Sequence, residues 1–245
     1  MSTDLWTVLW KEWRSLMGGR ARRQLLIIGG VLMAMALIFP IEDGQGWVSD
    51  PVGIGILGIV MPMLVVSFIV PDAIAGERER HTLATLLASR LPDRAILYGK
   101  LGFAVVTGWL MGIVMLAVAL VAANLSAAPA APLLYEPHVL LAVLGLGFLV
   151  AILAGGIGFF VSLRASTAQE AQQLTGVGMM VPLMLASFLL MAVMGNDDLR
   201  ATLAGIGSLD PLLVVATVLA VIAVVDGTLL AAADRRFRRG RLLVR

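Results

Sequence analysis

The densest run of residues able to do chemistry is Gly76-Glu77-Arg78-Glu79-Arg80-His81, followed by Arg90, Asp93, Arg94 and Lys100. As a catalytic site this run is poor. Glu77 and Glu79 stand two apart and point to different sides of a helix, so they do not make a shared acid–base pair. Neither His81 nor His138 has the second histidine and intervening Glu of a zinc hydrolase helix. No serine lies in a Gly-x-Ser-x-Gly turn. Gly99-Lys100 is followed by Leu101, and Arg94 stands where a phosphate-binding loop needs its first glycine. The phosphate cradle and the Mg²⁺-binding hydroxyl are therefore both missing. With no cysteine, the chain has no disulfide, thiolate metal site or thiol nucleophile. Its thirteen methionines form no Met-x-x-Met cluster on an aqueous loop that would hold Cu(I), and they read as packing. The expectation is no catalytic residue, no metal site and no cofactor bound by this chain.

The elements that must carry these residues belong in a membrane. The chain is 60% hydrophobic and 14% charged, too apolar for a soluble core. Six stretches approach or exceed the ~20 residues a helix needs to cross ~30 Å of hydrocarbon. They are placed at about 24–41, 51–71, 101–124, 139–163, 174–195 and 211–233. Lipid requires internally satisfied backbone, and the alternating segments of a barrel are missing, so the fold class is all-α. Of eighteen basic residues only Arg200 falls on the acidic or neutral loops; the other seventeen lie on alternate, opposite ones. The positive-inside rule then puts both termini, the segment 75–100 and the basic tail 234–245 in the cytoplasm. That tail adjoins a membrane exit, so anionic headgroups are its expected neighbours and nucleic acid is not. The chain is read as one transmembrane domain.

Before the first span, residues 3–18 place Leu5, Trp6, Leu9, Trp10, Trp13, Leu16 and Met17 at three- and four-residue intervals. This is an amphipathic helix, and three indoles on its apolar side suit the headgroup boundary. Thr167-Ala168-Gln169-Glu170 reads as a capping box, and Asp210-Pro211 as an N-cap with Leu209 and Val214 as a staple. Gly108 and Gly112 form a GxxxG suited to close helix approach, and Pro62 is placed to kink the second span. Residues 197–207 are expected to form a small helix or re-entrant turn. Asp226 is the one acidic residue clearly inside a span, about 10 Å of helix before its end. It is either a proton or cation site, or the partner of Arg164 or a tail arginine.

Between spans two and three, Leu83, Leu86 and Leu87 repeat at three and four, and Glu77, Arg78, Glu79 and Arg80 load the turn before them. Pro92 stands where a new helix would start. That periodicity supports a docked surface helix. The whole segment, GERERHTLATLLASRLPDRAILYGK, resembles the loop of ABC transporter permeases of the exporter-like second superfamily (type V). Their pattern runs "GE…GTL…LL…P…R…I…GK" and forms a coupling helix on the ATPase subunit; this chain departs from it at His81, where Gly is usual. The resemblance covers nearly the whole layout, but only this loop has motif-level specificity.

The resemblance implies a membrane permease working as a homo- or heterodimer in a prokaryotic plasma or inner membrane. ABC ATPase subunits below it would bind ATP and Mg²⁺. It implies polar ATPase contacts from Gly76, Glu77, Arg78, Glu79, Arg80 and His81, with Leu83, Leu86 and Leu87 seating the segment. An apolar interior favours lipidic, amphiphilic or peptide-like cargo. The residues themselves leave two other readings open, an ion-coupled secondary transporter using Asp226 and a membrane anchor that moves nothing.

Overall fold

The computed structural model describes residues 2–16, 18, 20–82, 90–194 and 211–236. Among them there is no strand. The main helices are α1 (Ser2–Leu16), α2 (Arg20–Asp43), α3 (Pro51–Glu79), α4 (Asp93–Ala127), α5 (Pro137–Ser162), α6 (Ala168–Met194) and α7 (Pro211–Arg236), with a 3₁₀ turn, Gly44–Ser49, leading into α3. By length and composition α3, α4, α5 and α7 can each cross a membrane. Helices α2, of 24 residues, and α6, of 27, run through the stretches expected as spans one and five. Met17, Leu83, Leu86, Leu87, the 197–207 turn, Leu209 with the expected N-cap Asp210, and the tail from 237 lie outside the described residues.

Helix α3 is the central element, packed on α4, α5 and α6 and buried along most of its length. Its start is sharply defined. Asp50 caps it by accepting from the Val52 and Gly53 amides at 2.9 and 2.8 Å, and Pro51 supplies the first helical residue. Pro62 has no N–H to give Gly58, and the preceding turn, Ile56–Val60, widens to π geometry, with the Met61 amide bonded to the Ile56 carbonyl. The Gly58 carbonyl is covered instead by Gly147 of α5, whose missing side chain is what allows the approach. Gly108 and Gly112 of α4 close on Pro62 in the same way. The GxxxG pair and the proline are thus two sides of one intrachain contact.

At 29 residues, α3 runs roughly 43 Å, well beyond a ~30 Å hydrocarbon layer. Its last turns, including a second π segment at Asp72–Gly76 after Pro71, carry the first charges. Residues 75–79 are therefore the end of the second span's own helix. The break comes at His81, and any separate surface helix would have to begin beyond it.

Helix α1 lies across the start of α4, with Val8 seated on Gly99. Its three tryptophans do not face the bundle: Trp6, Trp10 and Trp13 are 68%, 57% and 47% exposed, while Val8 and Glu12 are buried. At the opposite end of the bundle Trp47 is buried and donates to the Tyr135 hydroxyl at 3.1 Å, which donates in turn to the Leu116 carbonyl. Burial pushes the Tyr135 hydroxyl above its ordinary range, against the opposing pull of the Trp47 N–H. Beside this triad a cavity of about 780 Å³ opens between Phe39, Trp47 and Ile56, with Glu42 and Asp43 on its rim.

Candidate functional site

The charged end of α3 is the point where five helices are tied together. Its termination sets the geometry. The Thr82 amide donates to the Glu77 carbonyl at 2.9 Å and the His81 amide to the Arg78 carbonyl at 3.0 Å. This crossed pair is a Schellman cap, and it requires a left-handed residue at the position His81 occupies. His81 has φ +57°, a conformation glycine adopts without strain and histidine does not. The Gly expected there from the resemblance thus has a backbone reason, and this chain reaches the same turn with an L side chain.

Each charged residue before the cap then reaches a different element. Glu77 is 5% exposed and turns inward, where its Oε1 accepts from Lys100 of α4 at 2.9 Å and from Lys11 of α1 at 2.5 Å. Arg78 is half-buried and donates to the Ala165 and Leu163 carbonyls at 2.8 and 3.3 Å, at the negative end of the α5 dipole. Glu79 is exposed and accepts from the Ala168 amide at 3.2 Å, at the positive end of α6. Arg80, also exposed, pairs with Asp72 at 3.5 Å, and a side chain at Gly76 would fill the space between them. The sequence expected Glu77 and Arg78 to offer polar surface to a partner; in the structure their charges are spent within the chain. Glu79, Arg80, His81 and Thr82 form the exposed tip.

Lys100, Glu12 and Lys11, none of them expected as a site residue, complete the centre. Lys100, 4% exposed, uses all three ammonium protons: on Glu12 Oε1 at 2.6 Å, the Ala73 carbonyl at 2.8 Å and Glu77 Oε1. Buried Lys100 and the exposed Lys11 together balance the buried Glu12 and Glu77, so the cluster as a whole is neutral. Removing one partner of such a cluster leaves an uncompensated buried charge, at a typical cost of about 3–5 kcal/mol. Gly99, just before Lys100, admits α1 close enough for Glu12 to arrive. The "GE" and "GK" ends of the loop pattern therefore meet in space. One available signal was a lysine followed directly by a 24-residue apolar run; the other was Glu12 at i+4 from Val8, which puts it on the face turned to α4.

The neighbouring connection is held with equal definition. The Glu170 amide donates to Thr167 Oγ1 at 3.2 Å, while its carboxylate accepts from the Ser166 amide and hydroxyl at 2.8 and 2.6 Å. The expected capping box is present with its return bond one residue earlier. The Ser166 hydroxyl and amide hold the Glu170 carboxyl below its usual range. Arg94, at the start of α4, grips Asp234 of α7 through two bonds of 3.0 and 2.9 Å. Asp226 is 3% exposed and bonds neither to Arg164 nor to any other described residue; the tail arginines from Arg238 on lie outside the described residues. Among the described residues no group of three or more His, Cys, Asp or Glu is placed to hold a metal.

No curated protein matches the chain. A family model described as ABC-2 family transporter protein matches residues 43–231, which takes in the end of α2, all of α3 to α6 and most of α7. Members of this family normally work with an ABC ATPase. With the charged junction of α3 inside the matched region and more than half of the sequence covered, the chain belongs to the ABC-2 family of transporter proteins and is an ABC transporter permease.

Proposed function

We propose that this chain is the membrane-spanning subunit of an ATP-driven exporter, with six spans and both termini in the cytoplasm. It pairs with a second permease copy or a homologous half, and separate ABC ATPase subunits sit below. The ATPases bind ATP and Mg²⁺; this chain converts their closure into movement. The observation that carries the reading is the end of α3, where Glu77, Arg78 and Glu79 bind α1 with α4, α5 and α6 respectively. A displacement of the exposed tip, residues 79–82, is passed to these helices through short, charge-assisted bonds, which are stronger than neutral ones. Gly76, Glu77 and Arg78 act as the inner half of the coupling site, and Glu79, Arg80 and His81 as its ATPase-facing half. Leu83, Leu86 and Leu87 seat the chain that follows. The exposed Trp6, Trp10 and Trp13 hold α1 at the lipid headgroups while Glu12 and Lys11 bind it to the junction.

The cargo reading is lipidic or amphiphilic, in keeping with apolar helix surfaces and the cavity beside Trp47 at the far end. Because the chain has no cysteine, single reporters are clean. Arg80→Cys and Thr82→Cys should cross-link to the ATPase through a short bis-maleimide in native membranes, whereas Leu134→Cys at the opposite end should not. Absence of cross-linking from both tip positions would overturn the coupling assignment.

A further inference from the structure

Asp226 is the buried ionisable group that the junction does not use. It sits in α7 on the face turned to α5, and the packing on either side of it is well defined: Leu219 lies against Gly145 and Leu229 against Gly156. The two helices therefore run parallel, and Asp226 falls between these contacts, one turn before Leu229. Helix α5 carries no charged residue from Pro137 to Ser162 apart from the titratable His138 at its start. Helix α4, which reaches α7 through Arg94 and Asp234, has beyond Arg94 only Tyr98, beside Arg94, and Lys100, which is fully engaged in the junction. On α7 itself Asp234 holds Arg94, and Arg236 lies over the Phe160 ring at 5.7 Å. Arg235 and Arg164 are exposed. Both Asp226 oxygens are thus buried without a hydrogen-bond partner among the described residues.

We infer that Asp226 is a proton-binding site, occupied when α7 is packed on α5. A carboxylic acid is compatible with an apolar helix face in lipid, and a carboxylate there is not. Losing the proton therefore requires α7 to part from α5 far enough to admit water or a cation. Proton occupancy and the α5–α7 contact are two readings of one equilibrium, and the ligand is the proton itself. Nothing in this depends on the ATPase.

The probe is dicyclohexylcarbodiimide, one C=N bond of which takes up the O–H of a protonated carboxyl in apolar surroundings and rearranges to a stable N-acylurea, applied to the full chain in its native membranes. Mass spectrometry should find the adduct on Asp226, declining as pH rises and missing in Asp226→Asn. A recovered but unmodified Asp226 peptide at every pH would overturn the proposal. So would equal modification by a water-soluble carbodiimide, which would mean a solvated carboxylate. The packing half has its own reporter. A Cβ on Gly156 would stand 3.5 Å from that of Leu229, within disulfide range. With copper–phenanthroline as the oxidant, the Gly156→Cys/Leu229→Cys pair should cross-link in the Asp226→Asn background with only the rise in yield that thiol ionisation brings as pH rises. With Asp226 present it should lose yield, relative to that background, as pH rises. Identical pH dependence in both backgrounds would overturn the link between proton and packing.

Discussion

His81 holds a backbone conformation that its own side chain disfavours, and the reason lies in the bonds the turn makes rather than in anything the imidazole touches. A left-handed L-residue costs about 1–2 kcal/mol, and glycine gives back about 0.5–1 of that through unfolded-state entropy. His81→Gly should therefore raise the unfolding temperature of the purified protein slightly, by the equivalent of up to ~1 kcal/mol. A lowered melting point would mean the cap is built differently. Lys100 is the opposite case, a residue whose side chain decides everything. Lys100→Met leaves Glu12 and Glu77 buried with Lys11 alone between them, at a cost of about 3–5 kcal/mol. The loss should appear first as release of α1, read as a shift in the fluorescence of Trp6, Trp10 and Trp13 and as protease cleavage before Arg20. Unchanged melting in Lys100→Met would contradict the buried cluster. Of these residues, Glu77 and Arg78 could be named from the sequence because charge density marks them. Their inward direction could not, because burial depends on which helix arrives beside them, and that is a property of Gly99 and Val8 together.

Among the elements, α3 owes its central place to what its residues lack. Pro62 has no amide, Gly58 no side chain, and Gly147, Gly108 and Gly112 leave room for exposed backbone to be covered. Gly147→Ala directs a methyl group at the Gly58 carbonyl, with no flexible side chain to yield, and should cost about 1–3 kcal/mol. Gly102→Ala, where nothing lies nearby, is the matched control and should melt no lower than the parent. A Gly147→Ala protein as stable as Gly102→Ala would refute the close crossing. The start of α6 offers a pH test. The Glu170 carboxyl is depressed in the folded chain, so its contribution is present above the ordinary carboxylate value of ~4.3 and is lost as pH falls through the lower, folded one. Protection of the amides at the first turn of α6, measured against their intrinsic exchange rates at each pH, should fall on acidification in the parent and show no such step in Glu170→Gln. The helical periods and the capping box at Thr167–Glu170 were legible locally, since they rest on short-range spacing. The continuation of α3 to Glu79 was not, because a charged run reads as a loop when its partners on α1, α4, α5 and α6 are out of sight.

For the molecule as a whole, composition settled the all-helical membrane class, since no other use of so much apolar sequence satisfies the backbone. Among the described residues four helices meet the length and apolarity of a membrane crossing, and the family match spans most of the chain. The loop pattern carried the family; the geometry adds why its two ends belong together, with Glu77 and Lys100 closing on each other across the junction. The central claim is that the tip beyond this junction is gripped by an ATPase. Its most direct test is a mild-detergent pull-down of the tagged chain from its native cell, with mass spectrometry of what remains bound. The account predicts a stoichiometric P-loop ATPase that is lost on the exposed double change Glu79→Arg/Arg80→Glu, in a protein that still inserts and retains α1. Reproducible recovery of the chain with no ATPase, in several detergents, would contradict it.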